Sequence, residues 1–594
     1  MLLHDLAALR AQLAEDAAVR ARFLGRLHPG PAAIRMLRLL GAIVATPARW
    51  RALTLALIVG AVTVTEVLVV LRLAVWNADF FNVLEAKSFA SLISQIWILA
   101  AIVTGMMVLQ GLSLQTKMQL QMVLRSHLTH IVRDSWMSDG RYYRLRLTAG
   151  EHDNEDGRIA EDIRVVCEMV VEFLVSLLYA FIQLTLFAGV LWLYSGPLTI
   201  AVGGTSLTLP GHMVWVALGY AAIGSAIVTL VGHPLVRATD RRQAAEANYR
   251  ARLVNVIAHA PAIALTGAEA GERRRLARAF EGIRGAWAVQ TASFRNLIFF
   301  SSGLALLTTI LPLLILAPRY LHGEMSLGTL MQVTIAFGQV TAALSWLAGN
   351  YSSIAQWEAS AARVLALQEA VEDLGGRAVT GAGLLSREPA EGPLLAFRDL
   401  SVVTPTGEVL LEHFSAEIRL GERVLVEATP QAAAALFRAI AGLSISGAGR
   451  IELPRDSAPF FMADRPYLPE ATLLEVLAEP RPPESFAPEA VARVLVDVGL
   501  AQVVPRLGTT ALWEQEFGIE DQQRLGFARL LLHRPDWILM HDASSALSPE
   551  AEDMLIELIA KALPGSALIT ITHRAMAGRM FNRRISVSTV GRAP

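Results

Sequence analysis

Six stretches of this chain are apolar over roughly the 20 residues that a helix needs to cross a bilayer. They run Ala52–Trp76, Ser91–Leu114, Val170–Tyr194, His212–Val236, Leu297–Leu316 and Leu327–Gly349. In lipid, backbone N–H and C=O groups must be satisfied internally, so each stretch is expected to form a membrane-spanning helix. The sixth is the most polar, with Gln332, Thr334 and Gln339. Such residues usually face a bundle interior or a cavity. Composition agrees: 54% of residues are hydrophobic and 18% charged, where soluble domains carry about a quarter charged residues. A formal net charge of −1 gives no basis for a nucleic-acid partner. Cys167 is the one cysteine, so neither an internal disulfide nor a cysteine metal cluster is available.

The stretches between spans set the orientation. Lys117–Glu168 and Arg237–Phe294 are long, polar and helical in pattern, with arginines at 125, 133, 141, 237, 241 and 242. Basic loops favour the cytoplasm. Residues 1–51 are Arg-rich, with Leu6, Leu9 and Leu13 at helical spacing, and read as amphipathic cytoplasmic helices. Met1–Pro29 lacks the apolar core of a cleaved signal peptide. The expected organisation is an N-terminal segment 1–51, a transmembrane domain 52–370, a Gly-, Ala-, Glu- and Pro-rich linker 371–393, and a domain 394–594 without spans. In this last part Arg423–Val426, Trp537–Met540 and Ala567–Ile571 read as strands alternating with helices, the pattern of an α/β domain with a largely parallel sheet.

Glu66 stands inside the first span. A carboxylate there is either a protonatable group facing a cavity or a structural residue paired with Arg72. Glu168 and Glu172, near the start of the third span, read as interfacial. His212 and His233 sit near span ends and read as interface residues. The sequence offers no cluster of metal-ligating residues, and no metal is expected.

Several strings in the membrane half resemble the SbmA/BacA-like permease family, whose membrane domain also occurs fused to an ATP-binding domain in ABC-D-type transporters. They are Trp76-Asn77-Ala78-Asp79-Phe80-Phe81-Asn82, Trp136 with Tyr142-Tyr143-Arg144, and Asp153-Asn154-Glu155-Asp156-Gly157-Arg158-Ile159-Ala160-Glu161-Asp162. The longest is Ala317-Pro318-Arg319-Tyr320 followed by Gly323-Glu324, Leu327-Gly328-Thr329-Leu330-Met331-Gln332, Ala336-Phe337-Gly338-Gln339-Val340, Leu344-Ser345-Trp346 and Asn350-Tyr351. One departure falls after the fourth span, where the family's glutamates are replaced by Ala258 and Pro261. Pro261 should end or kink a helix there.

The remainder resembles an ABC nucleotide-binding domain in its framework: Gly421-Glu422-Arg423, Phe437 to Leu443, Arg465-Pro466-Tyr467-Leu468-Pro469, Gln522-Gln523-Arg524 and Ala546-Leu547. The resemblance implies ATP and Mg²⁺, but the residues that would hold them differ. A phosphate loop, G-x-x-x-x-G-K-[ST], needs glycines for its backbone donors, a lysine for charge and a hydroxyl for Mg²⁺. Between Val424 and Leu443 the chain reads VLVEATPQAAAALFRAIAGL, with Ala433 near the lysine position. Asp464 stands for the glutamine-loop glutamine, and Gly518 and Glu520 fall in the signature. His541 stands for the metal-binding aspartate, Asp542 for the catalytic glutamate and Ser548 for the D-loop aspartate. The switch histidine, His573, is retained.

The expected fold is an α-helical six-span membrane domain of the ABC-exporter type followed by an α/β nucleotide-binding-like domain. The resemblance implies a multi-pass protein of the bacterial inner membrane, acting as a homodimer or heterodimer, with peptides or similarly bulky hydrophilic compounds as cargo. Three rival readings follow. The chain is a proton-driven carrier using Glu66, an inert half of an ATP-driven heterodimer, or a non-transporting scaffold or sensor.

Overall fold

The computed structural model describes residues 48–147, 154–202, 205–377, 385–390, 392–403, 408–443, 447–454, 459–573 and 581–587, together with Ile34 and Gly41. The expected N-terminal amphipathic helices lie outside the described residues. The chain forms two compact units. One comprises Met1–Asp134 and Asp153–Glu369, the other Ser135–His152 and Ala370–Pro594.

Long helices dominate the first unit: α1 (Arg49–Glu85), α2 (Phe89–Met137), α3 (Ile163–Tyr194), α4 (His212–Ala258), α5 (Ala260–Thr266), α6 (Glu269–Leu321), α7 (Leu327–Leu344) and α8 (Trp346–Arg377). Among the described residues, six helices are long and apolar enough to cross a membrane, and they coincide with the six expected spans. At 1.5 Å per residue, the 47 residues of α4 and 53 of α6 extend roughly 70 and 80 Å. That is more than twice the ~30 Å of hydrocarbon, so the polar halves of both helices continue beyond it.

Local chemistry explains where these helices stop. α4 ends at Ala258, and His259 leaves helical geometry at φ −110° and ψ 17°. The chain restarts as α5 with Pro261 in its first turn, where a missing N–H costs nothing. The sixth expected span, Leu327–Gly349, is interrupted at Ser345, so α7 stops at Leu344 and α8 begins at Trp346. α8 then runs to Arg377, and a strand forms over Ser386–Pro389, so regular structure enters the expected linker.

Residues from distant strings meet at the start of α7. Asn82 Oδ1 accepts from Gly328 N at 3.0 Å, Glu85 Oε2 accepts from Leu327 N at 3.1 Å, and Ser326 Oγ accepts from Thr329 N at 3.2 Å. First-turn N–H groups have no partner within a helix and need such acceptors. Gly328 is required here, because a Cβ would lie 2.1 Å from the Ala78 carbonyl oxygen. A buried core of Ala74, Phe187, Leu191, Met213, Leu316, Val333 and Phe337 joins α1, α3, α4, α6 and α7.

Between the third and fourth spans, β1 (Leu198–Val202) and β2 (Thr205–Leu209) form an antiparallel hairpin in register from Leu198–Leu209 to Val202–Thr205. The sequence reading assigned no strand there. Each strand has only five residues, and the Gly-Gly turn signal lies between two strong helix patterns.

The second unit contains two larger sheets. In one, β3 (Ser386–Pro389), β4 (Leu394–Val403), β5 (Val409–Arg419) and β7 (Gly447–Leu453) are ordered β3-β7-β4-β5. In the other, β6 (Arg423–Glu427), β8 (Phe460–Met462), β11 (Trp537–His541), β12 (Ala567–Thr572) and β13 (Arg583–Ser586) are ordered β13-β6-β12-β11-β8, all parallel. A short antiparallel pair, β9 (Ala471–Thr472) and β10 (Thr510–Ala511), lies apart. The expected strands at 423, 537 and 567 are three of these parallel strands, each one residue longer than read. Their apolar runs suit burial on both faces. Helices α9 (Pro430–Ile440), α10 (Ile519–His533) and α11 (Pro549–Ala562) share buried cores with the strands of the parallel sheet.

Candidate functional site

The C-terminal edge of the parallel sheet is where an α/β domain usually binds its ligand. Here β6 ends at Glu427 and α9 starts at Pro430, leaving only Ala428 and Thr429 between them. Thr429 caps the helix by accepting from Ala432 N at 3.4 Å, and its carbonyl accepts from Ala433 N at 2.8 Å. Pro430 contributes no N–H. An anion at a helix N-terminus relies on free backbone donors and positive charge. This terminus is occupied by its own threonine and follows Glu427. Ala432 and Ala433 are fully buried against Val424, Val426, Ile569 and Ile571. Position 433, near the place of the family's lysine, therefore points into the core.

At the end of β11, His541 stacks on Phe437 of α9 with ring centroids 5.3 Å apart and planes at 28°. Burial holds its pKa below the ordinary histidine value. Among the described residues its Nε2 has no hydrogen-bond partner, and it lies 3.7 Å from Asp542 Oδ2. The position of a metal-binding aspartate is thus filled by half of an aromatic stack. Asp542 adopts left-handed backbone geometry at φ +47°. Its Oδ1 accepts from Thr572 Oγ1 at 2.7 Å, and His573 Nδ1 donates to its Oδ2 at 3.0 Å. Each oxygen of this carboxylate already has a protein partner.

The remaining positions also have local partners. Gly518 is the N-cap of α10, and Glu520 Oε1 accepts from Arg524 Nη2 at 2.8 Å and Nε at 3.2 Å one turn on. Ser548 caps α11 by accepting from Ala551 N at 3.2 Å. Asp464 is exposed, but its carbonyl accepts from Gln523 Nε2 at 2.9 Å. Gln523 is fully buried. It also donates to Ser545 Oγ at 3.0 Å and accepts from Ala546 N at 2.9 Å. It is a junction between three segments that the sequence reading used only as a framework marker. A buried amide with every group satisfied is strongly position-specific.

In the membrane unit, Glu66 is buried on α1. The expected alternative pairing with Arg72 does not form, because Arg72 Nη1 lies 3.7 Å from Asp79 Oδ2. Six residues of helix separate positions 66 and 72 by more than one turn, and residues seven apart, such as 72 and 79, return to one face. Glu172 pairs with Lys117 at 2.7 Å, and Glu168 with Arg164 at 3.0 Å. His212 is buried, with Nδ1 3.1 Å from the Gly196 carbonyl oxygen. The His233 side chain lies outside the described residues. Among those described, no group of three or more His, Cys, Asp or Glu residues could hold a metal ion.

The string 153–162 builds a different structure. A π-helical turn over Arg158–Asp162 leads into α3. Asp162 Oδ2 accepts from Arg363 Nε at 2.7 Å, and Oδ1 accepts from Arg363 Nη2 at 2.5 Å. Trp357 Nε1 donates to the Val166 carbonyl at 3.2 Å. Two contacts thus tie α8 to the start of the third span.

Residues 39–321 match the family model of the ABC transporter transmembrane region 2. Beyond that segment, the chain is 26% identical over 527 residues to the inner membrane ABC transporter ATP-binding protein YddA of Escherichia coli, covering 87% of this chain and 90% of that protein. It is 24% identical over 581 residues to the chloroplastic ABC transporter D family member 2 of Arabidopsis thaliana, covering 86% and 80%. It is 23% identical over 509 residues to the mouse ATP-binding cassette sub-family D member 3, covering 77% and 72%. Residues 39–321 are thus similar to an ABC transporter transmembrane region, in a chain with six helices long and apolar enough to cross a membrane followed by an α/β domain.

Proposed function

We infer, from the premise that the chain is an ABC-D-type membrane transporter, that it moves peptides or similarly bulky hydrophilic compounds and draws on a proton gradient rather than on ATP. It works in a bacterial inner membrane as a dimer, with the α/β domain in the cytoplasm as a clamp between subunits. One observation carries the energetic part. β6 passes into α9 through Ala428 and Thr429 alone, and Thr429 caps the helix end where a phosphate would sit. The paired oxygens of Asp542 and the stacked His541 support the same reading. The apolar stretch of α2 has no buried residue and that of α6 few, which supports a second subunit or lipid against them. Glu66 is the proton-carrying candidate, because an intramembrane carboxylate is costly and is retained for function or pairing.

The test has two parts. Mg-ATP titrated calorimetrically into the purified full chain is expected to show no binding at millimolar concentration. In proteoliposomes, uptake of a labelled peptide is expected to follow an imposed pH gradient, ignore ATP, and be lost in Glu66→Gln. Micromolar ATP binding, or uptake that requires ATP, would overturn this reading.

A second reading has its own support. Relatives that match most of the chain are named as ATP-binding proteins. The chain would then be the inert half of an ATP-driven heterodimer. In ABC dimers each nucleotide site combines the phosphate loop of one chain with the signature of the other. A partner would therefore have to work against Glu520 and the capped α9. ATP-dependent uptake appearing only when a second ABC chain is co-reconstituted would establish it.

A further inference from the structure

At the end of the bundle away from the polar halves of α4 and α6, one turn of α1 holds the first turn of α7. Asn82 and Glu85 are three residues apart, so they share one helix face. They accept from consecutive amides of α7: Asn82 Oδ1 from Gly328 N at 3.0 Å, and Glu85 Oε2 from Leu327 N at 3.1 Å. The two helices approach here with no side chain between them, since a Cβ on Gly328 would lie 2.1 Å from the Ala78 carbonyl oxygen. The other carboxylate oxygen of Glu85 accepts from Tyr320 Oη, at the end of α6, at 3.4 Å. Glu85 is exposed. A cavity of about 640 Å³, lined by Glu85, Tyr320, Gly323, Glu324 and Ser326, opens beside it.

The two acceptors differ in one respect. The Asn82 amide accepts equally at any pH, whereas a carboxylate loses its charge when it takes up a proton. A hydrogen bond to an ionised oxygen is stronger than one to a neutral oxygen. The positive end of α7 adds attraction for a negative charge at its first turn. The joined arrangement therefore favours ionised Glu85, and by linkage a proton on Glu85 favours separation. Nearby charges have partners of their own. Arg319 pairs with Glu324 at 2.9 Å, Arg72 lies 3.7 Å from Asp79, and His322 Nδ1 lies 2.6 Å from the Pro318 carbonyl oxygen. Lys87 follows Glu85 by two residues, in left-handed geometry at φ +52°. Of the helices packed on α1, α7 has no ionisable side chain, and residues 184–194 of α3 have only the Tyr194 phenol.

We propose that Glu85 is a proton-sensitive latch between the first and sixth spans. Ionised, it holds the first turn of α7 against α1. When it takes a proton from the water beside it, it lets that turn go, while Asn82 keeps a second hold that does not depend on pH. Acid on this side of the membrane thus loosens one end of the bundle. A solvent-exposed hydrogen bond is weak, so the effect is a shift of a few-fold and not a complete switch. The latch requires neither Glu66 nor proton-driven transport.

Hydrogen–deuterium exchange of the full chain in lipid nanodiscs tests the latch. Mass spectrometry reads fragments covering residues 325–330, with rates corrected for the intrinsic pH dependence of exchange. In the unmodified chain, protection of the Leu327 and Gly328 amides should fall about two- to five-fold from neutral pH to about pH 4, the range over which carboxylates titrate. Glu85→Gln keeps an acceptor that does not titrate, and should show the same protection throughout. Asn82→Ala should lower protection at every pH but keep the fall. Glu324→Gln should also keep the fall, because that carboxylate belongs to Arg319. Fragments from the middle of α7, where Val333, Phe337 and Val340 are buried, report any general loosening by acid. Protection at 327 and 328 that ignores pH in the unmodified chain overturns the latch. So does a fall that persists in Glu85→Gln, vanishes in Glu324→Gln, or is equally large in the middle of α7.

Discussion

His573 Nδ1 donates to Asp542 Oδ2 at 3.0 Å. In an ATPase the corresponding pair would face a nucleotide, one group orienting water and the other contacting phosphate. Here the carboxylate is only 12% exposed, and its second oxygen accepts from Thr572. The pair is a closed hydrogen-bonded clasp between β11 and β12. Asp542→Ala should therefore leave phosphate release from ATP at the background of the unmodified chain. It should lower stability by about 1–3 kcal/mol, mainly the cost of removing the acceptor of the buried Thr572 hydroxyl, since the exposed His573 reaches water. Parallel phosphate-release and thermal-melt measurements check both. A hydrolysis rate that falls in the variant would show that Asp542 is a working base.

Position 433 offers a complementary test, since it is where the lysine of a phosphate loop would be restored. Ala433 is fully buried among Val424, Leu436 and Ile571. Ala433→Lys must force a longer chain and a charge into this core. Overpacking alone costs about 1–3 kcal/mol, and burying an unpaired ammonium adds more. The expected outcome is a lower melting temperature and no Mg-ATP heat in calorimetry. Gain of ATP binding without loss of stability would show that the loop needs only its lysine.

Much of the fold was legible because lipid imposes a strong rule. A run of apolar residues such as Ala52–Trp76 has few alternatives to a helix, and the parallel strands at 423, 537 and 567 are short apolar runs between helical patterns. Other features depended on contacts between distant residues. Nothing local to Lys117 indicates that its partner is Glu172 on another helix. Likewise, Gln523 is one glutamine beside another in sequence, and its three hydrogen bonds arise only when Asp464, Ser545 and Ala546 converge on it. The break at Ser345 was missed because the apolar pattern continues across it into Trp346 and Leu347.

His541 predicts a pH dependence. Burial lowers its pKa below the ordinary value of 6.5, with the nearby Asp542 charge opposing less strongly. The unfolded chain then binds a proton at a pH where the folded chain does not, so stability rises with pH in that window. As pH falls below 6.5 toward the lowered value, the folded state should lose stability from this residue, and below that value the loss should level off. His541→Phe retains the stack on Phe437 and removes the titration. Melting temperatures of the variant are expected to depend less on pH between 6.5 and the acid side than those of the unmodified chain. Equal slopes would mean that His541 titrates alike in the folded and unfolded chain.

The bidentate bridge from Arg363 to Asp162 joins α8 to the π-helical turn that opens the third span. Its two ends are unequal, since the Asp162 side chain is 11% exposed and that of Arg363 is 49% exposed. Removing the arginine strands a buried carboxylate, whereas neutralising the aspartate leaves a guanidinium that water can reach. Arg363→Met should therefore destabilise more than Asp162→Asn. The exposed arginine limits the larger effect to about 1–2 kcal/mol, because charge-assisted pairs weaken where solvent screens them. A double-mutant cycle in thermal unfolding measures the pair directly. The coupling should be favourable, and it should shrink in high salt as the solvent-facing half of the pair is screened. Zero coupling with both single variants unaffected would show that Trp357 and the surrounding apolar contacts hold α8 in place without the ion pair.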